Sequence, residues 1–516
     1  MLSWFVRRGI WNLLTLIKFF FAKPENIRLP KAKWGHIEPE PMGKAISGVH
    51  LQKVMVCSPA QIPRDERKPV PSKFFKFQVW LYKCYSPMQP GLPPISSDPQ
   101  VALRHAFNGL RRKLFHDPEL PAEYLGSPDL GSLAVRGPFA CYTTRSKTHP
   151  AWEWDLTMLD NYEHQPGLVK IGSRVLFRKD LRRRSLQAYQ IDCALGSITP
   201  PDAEWEQACK IALCAASTHL SLVRHYNWVH LAGGAQLAIA TRNKLSRDHP
   251  LCRLLWPYIY GTQQSNDMVS RGQLARGGDF ETIFSLKFEE MCRLFDETYE
   301  KYPHIVNDPE RDGRERGLRG VRGPGFDTPT QDNLEALFNT TLEFTLNYLK
   351  IYYSSHSTGA GSVRSDRQVM AWLEELNERV PGGVDVTPTD VTRGTLARLL
   401  ATQLYLVTVQ HEILGSFMWN YQLWTHRQPP RIYKDNKEHP REPLDVYQRL
   451  VTANYILNVR RRALMHDFSY FGLDPPAKAA MIQFRADLAK LQAKMESEPR
   501  AVWRVYPNDL KVNINA

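Results

Sequence analysis

Apolar residues recur at helical spacing through most of the chain after Asp202. A repeat of three to four residues is typical of helices that pack at least one face against a core. The pattern predicts helices at 203–232, 283–301, 331–353, 367–379, 388–425, 443–465 and 476–496. Two stretches rich in charged residues, glycine or serine, 307–333 and 354–366, are predicted to be surface loops. The C-terminal part should therefore be mainly α.

The pattern is different before residue 200. Residues 24–200 are rich in proline and contain only short apolar runs, which predicts irregular structure with a few short strands and helices. We therefore divide the chain into an N-terminal helix at 1–23, a mixed segment at 24–200 and a helical unit at 201–516. We expect the mixed segment to pack on the helical unit, so that the two segments form one functional unit.

The first 22 residues combine aromatic and aliphatic side chains with arginine and lysine. The uncharged apolar run from Gly9 to Ile17 is too short to span a bilayer, and Lys18 follows it directly. Two arginines precede the run as in a signal peptide, but no small-residue cleavage site follows. Two interpretations stay open: residues 1–22 lie in a membrane interface as a peripheral contact, or they form a helix packed on the protein.

Composition is that of an ordinary globular protein, with 43% hydrophobic and 23% charged residues. The net charge of +14 fits either a solvated basic surface or attraction to an anionic partner. No zinc-finger spacing, RNP-like strand or basic-region heptad is present in the sequence, so we expect no nucleic-acid partner. The eight cysteines are scattered without a CxxC pair, which indicates reduced thiols rather than a disulfide framework or a zinc site.

His225 and His230 lie five residues apart within a predicted helix. In an α-helix such residues point about 140° apart, whereas a metal-binding pair on one helix face uses a spacing of four. A pair spaced by five converges only where the helix widens locally, as in a π-bulge, and such bulges are frequent at functional sites. The alternative is two unrelated histidines that are satisfied by hydrogen bonds.

The segment after this pair resembles the one that follows the first two iron ligands of lipoxygenases. The matching pieces, in the same order and spacing, are Ile239–Ala240–Thr241, Leu245–Ser246, His249–Pro250, and Leu254–Leu255 with Pro257. The stretch "GGDFETIF" at 277–284 is similar to a helix segment of the family, residues 400–424 to the helix with the third histidine, and 505–516 to the terminal segment. The resemblance covers roughly 202–516 and indicates a short, microbial-type member without an evident lipid-binding β-sandwich domain.

The resemblance implies a mainly α, lipoxygenase-like catalytic domain with long central helices and a few short strands. It implies a non-haem iron ion, with manganese as the alternative, held by His225, His230, His411 and the terminal carboxylate of Ala516. The implied reaction takes a hydrogen atom from a CH₂ between two double bonds of a polyunsaturated fatty acid or acyl lipid. Addition of O₂ then gives a hydroperoxide, so the implied class is an oxidoreductase.

Some positions depart from the family pattern or have more than one interpretation. Gly415 stands four residues after His411, where the family has Asn, His or Ser, so we expect an open position for water or substrate, or a close helix crossing. The chain continues beyond the expected end of the terminal segment, so the tail either loops to present Ala516 or loses this ligand. Gly277 or Gly278 corresponds to a small residue that admits oxygen to the substrate, or forms the turn before a helix.

Three functions remain as hypotheses. The first is a lipoxygenase-like non-haem iron dioxygenase acting on polyunsaturated lipid. The second is a lipoxygenase-fold metalloenzyme that oxidises a different apolar substrate, because the ligand position at Gly415 has no side chain. The third is a membrane-associated binding protein with a decayed metal site, although buried imidazoles without a metal would be costly. We expect a monomer, in the cytoplasm or peripheral to a membrane.

Overall fold

Helices dominate the part of the chain that the computed structural model describes, namely residues 4–21, 26–30, 35–66, 130–321, 323–356, 358–422, 425, 427–435, 461–498 and 503–514. The α-helices are α1 (Trp4–Phe21), α2 (Met42–Ala45), α3 (Leu130–Leu133), α4 (Trp205–His219), α5 (Gln236–Lys244), α6 (Pro250–Ile259), α7 (Thr262–Val269), α8 (Asp279–Ile283), α9 (Phe288–Glu300), α10 (Pro309–Glu315), α11 (Pro329–Tyr352), α12 (Arg367–Arg379), α13 (Arg393–Tyr405), α14 (Met418–Gln422) and α15 (Pro475–Ser497). The π-helices are Leu220–Ala235, Ser270–Leu274, Leu406–Gln410 and Glu412–Phe417. Short 3-10 turns are Pro138–Tyr142, Thr157–Asn161, His304–Asn307, Val363–Ser365, Ser469–Phe471 and Pro507–Asp509.

One long helix, residues 205–244, runs through the centre of the protein and is called the first histidine helix below. It consists of α4, the π-helix Leu220–Ala235 and α5, which follow one another without a break. Between Ile211 and Arg242 every residue is buried except Arg224, His225 and Trp228. A helix that is buried on all sides forms the core of a large domain, and the few side chains that are not fully buried mark where space remains beside it.

A second long helix, residues 393–422, crosses the first and is called the second histidine helix. It begins at a capping box, in which the Thr392 hydroxyl accepts from the Thr395 backbone N–H at 3.1 Å. It continues through α13, two π-helical stretches on either side of His411, and α14. Helix α11 packs along α13, and α15 packs on α11, so the second histidine helix is supported from outside.

The mixed segment is more regular than the sequence predicts. Strands β3 (Thr144–Arg145), β4 (Trp152–Asp155), β5 (Arg174–Asp180), β6 (Ser185–Cys193) and β7 (Gly196–Ile198) form an antiparallel sheet in chain order. A smaller pair joins β1 (Glu40–Pro41) to β2 (Met55–Val56). The fully buried Trp154 packs against Phe177 and Phe139 on one face of the larger sheet, and α4 packs on β6. The sheet therefore covers one side of the first histidine helix.

A buried ion pair attaches residues 35–66 to the C-terminal end of the first histidine helix. Arg242 Nη2 lies 2.6 Å from Glu66 Oε1, and neither side chain is exposed. The Arg242 guanidinium also lies over the Trp256 ring at 4.5 Å. Removing one partner of such a pair is costly because the other charge stays buried, so this contact fixes the segment to the core.

Two sequence predictions about loops and cysteines can be compared with the structure. The segment 307–333 is only partly a surface loop, because it contains α10 and its residues Leu318 and Phe326 are buried. The seven cysteines among the described residues are free thiols, as the scattered pattern predicts. The helix predicted at 443–465 falls mainly on residues 436–460, which lie outside the described residues.

Helix α1 carries apolar side chains on its outer side. Within the described ranges, no helix combines the length and the apolar character needed to cross a bilayer. Leu14 and Thr15 of α1 are buried against the protein. The exposed apolar residues of this helix are Val6, Leu13, Leu16 and Ile17. Among the described residues, one side of this helix packs on the protein, and the opposite side is apolar and exposed.

Candidate metal centre

The π-helix Leu220–Ala235 brings His225 and His230 together. Their Nε2 atoms lie 3.2 Å apart, which an α-helix could not achieve at a spacing of five residues. In a π-helix the backbone hydrogen bonds run to the fifth residue, so residues at this spacing lie one above the other. The sequence predicts a single local bulge, whereas the structure shows sixteen π-helical residues. The widened turn therefore accounts for the unusual histidine spacing.

The second histidine helix supplies His411 to the same point. Its Nε2 atom lies 3.1 Å from Nε2 of His230. Of the described residues, His225, His230 and His411 form a group able to hold a metal ion, with their ligand atoms within 4.8 Å of one another. The structure thus brings together the three histidines that the sequence singled out, from helices almost two hundred residues apart.

Burial keeps the three imidazoles neutral. It lowers the pKa of His230 to about 4, against a smaller opposing effect of the hydrogen bond to Asn266. Burial also lowers the pKa of His225 and of His411 well below the ordinary range, and the neighbouring histidine and Arg461 charges act in the same direction. A neutral imidazole retains a nitrogen lone pair, which is the form that binds a metal. The three side chains are therefore ready to act as ligands at neutral pH.

An asparagine fixes the orientation of His230. Asn266 Oδ1 lies 3.0 Å from His230 Nδ1, and Asn266 Nδ2 donates to the backbone carbonyl of His230 at 3.1 Å. Because the amide oxygen can only accept, Nδ1 of His230 carries the proton and Nε2 keeps its lone pair toward the cluster. Such a partner on the second ring nitrogen is a regular feature of metal-binding histidines.

The Nδ1 atom of His411 also has a hydrogen-bond partner, in this case a carboxylate. Glu412 Oε1 lies 3.1 Å from His411 Nδ1, and it is ion-paired with Arg461. Arg461 Nη1 also stands 3.0 Å from Nδ1 and, as a guanidinium nitrogen, can only donate there. In the tautomer whose Nδ1 donates to the carboxylate, Nε2 of His411 is a lone-pair donor. The sequence did not predict these partners, since Asn266 and Arg461 come from distant elements.

Arg461 also connects this pair to the C-terminal tail. Its Nη1 atom donates to the Asn513 carbonyl at 2.9 Å, and Nη2 donates to Ser416 Oγ at 3.1 Å. The tail is well packed up to Ile514, which is fully buried, and its carbonyl accepts from Ser265 Oγ at 3.5 Å. Ser265 is the neighbour of Asn266. The expected ligand Ala516 itself lies outside the described residues.

Of the two interpretations of Gly415, the geometry favours the close helix crossing over the open position. A Cβ atom added at Gly415 would stand 2.5 Å from Nε2 and 2.9 Å from Cε1 of His225. The direction in which a side chain at this position would begin is therefore filled by the His225 imidazole. The physical reason is that the π-helical parts of both histidine helices cross here, so the second helix can approach the ring only without a side chain.

Gly277 and Gly278 form the turn before α8. Gly277 is exposed, has a φ of +74°, and its backbone N–H donates to Glu281 Oε2 at 2.6 Å. A Cβ at Gly278 would meet the carbonyl oxygens of Gln273 and Ala275 at 2.4 and 2.6 Å. Both positions thus require glycine for backbone reasons, which is the turn interpretation. The oxygen-access role of Gly277 or Gly278 stays a prediction.

The crossing at Gly415 gives a testable prediction. We expect Gly415→Ala to reduce metal binding and to lower the thermal midpoint, because the new Cβ must displace His225 or separate the helices; overpacking typically costs about 1–3 kcal/mol. Gly394→Ala in the same helix is the matched control, since its Cβ would meet only Thr392 Oγ1 at 3.8 Å. The control should be neutral or stabilising by up to about 1 kcal/mol. Equal behaviour of the two variants in metal content and thermal unfolding would contradict the close crossing.

Similarity to known sequences is limited to part of the chain. No protein-family model matches it. Over 279 residues the chain is 24% identical to a polyunsaturated fatty acid lipoxygenase of Mus musculus. This alignment spans 50% of this chain and 40% of the mouse protein, so the match covers less than half of the relative's length.

Similarity of fold extends further along the chain. A lipoxygenase in complex with arachidonate superimposes with a TM-score of 0.72 at 16% identity, over 90% of this chain and 78% of that one. The manganese lipoxygenase of Gaeumannomyces graminis gives a TM-score of 0.61 at 16% identity, over 71% of this chain and 70% of that one. The predicted mainly α fold is confirmed by these structures. Shared fold and sequence similarity together relate this chain to the lipoxygenase family through its catalytic domain.

Proposed function

We propose that this protein holds one first-row metal ion through the Nε2 atoms of His225, His230 and His411. The observation that carries the proposal is the convergence of three neutral imidazoles within 4.8 Å. Metal–nitrogen bonds of about 2.0–2.1 Å place neighbouring ligand atoms about 3 Å apart. Two of the three nitrogen pairs have this separation, 3.2 and 3.1 Å. The donor set and its spacing therefore fit a bound metal.

The metal that we propose is non-haem iron, with manganese as the alternative. Imidazole nitrogens and carboxylate oxygens suit both ions, and the similar structures include a manganese lipoxygenase. When bound, such a metal supplies one-electron redox chemistry for removing a hydrogen atom from a substrate. The chain itself contributes the orientation of the imidazoles, through Asn266 and Glu412, and the exclusion of water by burial.

We propose that the reaction is a lipoxygenase-type dioxygenation. A polyunsaturated fatty acid or acyl lipid would lose a hydrogen atom from a CH₂ between two double bonds and take up O₂, giving a hydroperoxide. The mouse relative is named a polyunsaturated fatty acid lipoxygenase, and a solved structure of similar fold holds arachidonate. Both names support this substrate class as a proposal for the present chain.

We also propose that the terminal carboxylate of Ala516 completes the ligand set. The last two residues of the described tail, Asn513 and Ile514, are fully buried. The contact of the Ile514 carbonyl with Ser265 lies beside the residue that holds His230. From Ile514, two further residues span at most about 7 Å, and this length sets how far the carboxylate can reach beyond the described tail.

A second candidate function is oxidation of a different apolar substrate on the same fold. It is favoured by Gly415, which offers no ligand side chain and whose replacement would collide with His225. The centre would then have one protein ligand fewer than the family pattern. A metal-free binding protein is less consistent with the site, because Asn266 accepts at Nδ1 of His230 and so leaves its Nε2 without a proton.

We propose that α1 contacts a membrane surface. Two of its exposed apolar side chains, Leu13 and Ile17, are 56% and 44% exposed. Arginine and lysine residues flank this apolar run in the sequence, an arrangement suited to an interfacial helix on an anionic bilayer. The packed residues Leu14 and Thr15 would keep the helix attached to the protein.

The function is tested by oxygen uptake with linoleate after loading the purified protein with iron or manganese. We expect oxygen uptake together with formation of a conjugated diene. His230→Ala should lose both bound metal and oxygen uptake. Each loss should exceed the roughly 10–100-fold effect of removing a residue that only hydrogen-bonds to a metal ligand. His149→Ala, at an exposed histidine outside the cluster, should match the unmodified protein. Metal binding without uptake of any polyunsaturated acid would favour the second candidate function.

The Glu412 carboxylate gives a prediction about metal affinity. We expect Glu412→Gln to weaken metal binding by roughly 10–100-fold, because the neutral amide makes His411 less basic and leaves Arg461 unpaired beside it. The measurement is metal retained in competition with a chelator. Glu374→Gln, at an exposed position of α12, is the control. Unchanged retention in Glu412→Gln would contradict a role of this carboxylate at the centre.

The membrane contact is tested with α1 variants and lipid vesicles. We expect Leu13→Glu combined with Ile17→Glu, or deletion of residues 1–22, to weaken binding to anionic vesicles and to leave metal content unchanged, because these side chains face away from the core. As a control, Leu181→Glu places a negative charge at another exposed leucine, 73% exposed in the turn between β5 and β6. Vesicle binding that is the same in all variants would favour a helix that only packs on the protein.

A further inference from the structure

A cavity lies between the first turns of α11 and the last turns of α15, and is called the α11–α15 cavity below. Its volume is about 430 Å³, which is within the usual range for small-molecule sites. The three histidines of the candidate metal centre do not line it, and neither do their partners Asn266, Glu412 and Arg461. The proposed function therefore gives this cavity no role.

Hydrogen bonds hold the walls of the α11–α15 cavity in place. Asn333 of α11 accepts from the Val505 backbone N–H at 3.0 Å and donates to the Val505 carbonyl at 3.3 Å. Arg504 donates to the Met495 carbonyl of α15 at 2.7 Å. Residues 503–505 are thus bound to both helices, so a ligand would meet a wall that is already formed.

The ionic residues that line the cavity leave two positive charges without a partner. Each of its three carboxylates is paired with an arginine: Asp327 with Arg184, Asp332 with Arg319, and Glu498 with Arg504. Arg136 and Lys494 also line the cavity. In the described part of the chain, neither of these two cations has a carboxylate within ion-pair distance.

Arg136 is held at the start of α11 by its two neighbours in the chain. The Thr330 N–H donates to the Val135 carbonyl at 3.3 Å, and the Gly137 N–H donates to Thr330 Oγ1 at 3.0 Å. Arg136 itself donates through Nη1 to Ser132 Oγ at 3.0 Å. The N-terminus of a helix carries a partial positive charge, so a guanidinium beside α11 is unfavourable there unless an anion joins it.

Lys494 lies in the last turn of α15, where a cation interacts favourably with the negative end of the helix dipole. This interaction accounts for a basic residue at the position but does not engage the hydrogen-bond donors of its ammonium group. The lysine side chain has a flexible four-carbon stem with three rotatable donors. Lys494 can therefore turn toward an anion that Arg136 holds.

The rest of the cavity wall includes apolar side chains from both helices. Pro329 and Ala336 belong to α11, and Leu491 and Met495 belong to α15. Pro329 and Met495 are buried, whereas Leu491 and Ala336 are partly exposed. A bare inorganic ion would leave this apolar surface in contact with water, so the wall suits an anion that carries an organic body.

We propose that the α11–α15 cavity binds a small organic phosphate, namely a phosphomonoester whose phosphate group pairs with Arg136 and Lys494. Such a group carries close to two negative charges at neutral pH, which matches the two uncompensated cations. Its oxygens accept the charge-assisted hydrogen bonds that guanidinium and ammonium groups donate. The organic body lies against Leu491 and Met495. The inference does not depend on the proposed function.

The test is isothermal titration calorimetry of the full-length purified protein in a chloride buffer. The probes are phenyl phosphate, inorganic phosphate, phenyl sulfate with a single negative charge, and isophthalate with two charges on separate groups. We expect phenyl phosphate to bind roughly tenfold or more tightly than inorganic phosphate, because its ring buries apolar surface. It should also bind roughly tenfold more tightly than phenyl sulfate, because it forms charge-assisted bonds with both cations.

The pH dependence follows from the charge of the probe. The second phosphate proton has a pKa of about 6, so lowering the pH through this value returns a proton and removes one negative charge. The affinity for phenyl phosphate should therefore fall on acidification. The affinity for phenyl sulfate should stay the same, because this anion, the arginine and the lysine all keep their charges in this range. A phenyl phosphate affinity that does not change with pH would contradict the charge match.

Variants locate the site. We expect Lys494→Met and Arg136→Met each to weaken phenyl phosphate binding by roughly tenfold, and Lys494→Arg to retain most of the affinity. The matched control is Lys478→Met, which removes a positive charge from an exposed position of α15 outside the cavity and should leave the affinity unchanged. If Arg136→Met does not fold, as judged by circular dichroism, the exposed Lys494 still decides the question.

Three results would overturn the proposal. The first is no measurable binding of phenyl phosphate, or binding that is unchanged in Lys494→Met, since the anion would then bind elsewhere, for example at a metal held by the histidines. The second is equal affinity for inorganic phosphate and phenyl phosphate, which would leave the apolar wall without a role. The third is tighter binding of isophthalate than of phenyl phosphate, which would reject a single phosphate group as the recognised anion.

Discussion

The first histidine helix must be wider than an α-helix for His225 and His230 to face one point. A π-helix is rare because its wide turn packs its own backbone poorly, so sixteen residues of it need support from outside. Here nearly every residue of this stretch is buried by the surrounding helices and the sheet. The second histidine helix is π-helical where it crosses the first. The centre therefore depends on the whole core rather than on three side chains.

Beside His230 and His411, polar groups contact Nδ1, while the Nε2 atoms of both rings point to the cluster. Asn266 and Glu412 both accept at Nδ1, one as a neutral amide and the other as a carboxylate paired with Arg461. In the proposed centre, the carboxylate would make His411 the more electron-rich ligand. Because Arg461 also binds the Asn513 carbonyl, the position of the tail is linked to the orientation of His411.

Sequence patterns predicted the helices and the three histidines but not their surroundings. Spacing by five residues indicated a widened helix, and the resemblance supplied His411. Asn266 and Arg461 could not be found in this way, because each reaches the site from a distant element and no periodicity marks it. Glu412 was visible beside His411, yet neighbours on an α-helix do not normally interact. The choice between the two interpretations of Gly415 could not be made from the sequence, because the ring in its direction comes from the other helix.

Small residues explain how close the elements around the centre can come. A Cβ at Gly233 would lie 2.5 Å from Leu406 Cδ2, and one at Gly234 would lie 2.4 Å from Ile514 Cδ1. Together with Gly415 on the second helix, these positions lie where the first histidine helix meets the second helix and the tail. A side chain at any of them would separate the elements that carry the proposed ligands. The glycines thus allow the close packing on which the proposed centre depends, because no side chain at these positions separates the two helices and the tail.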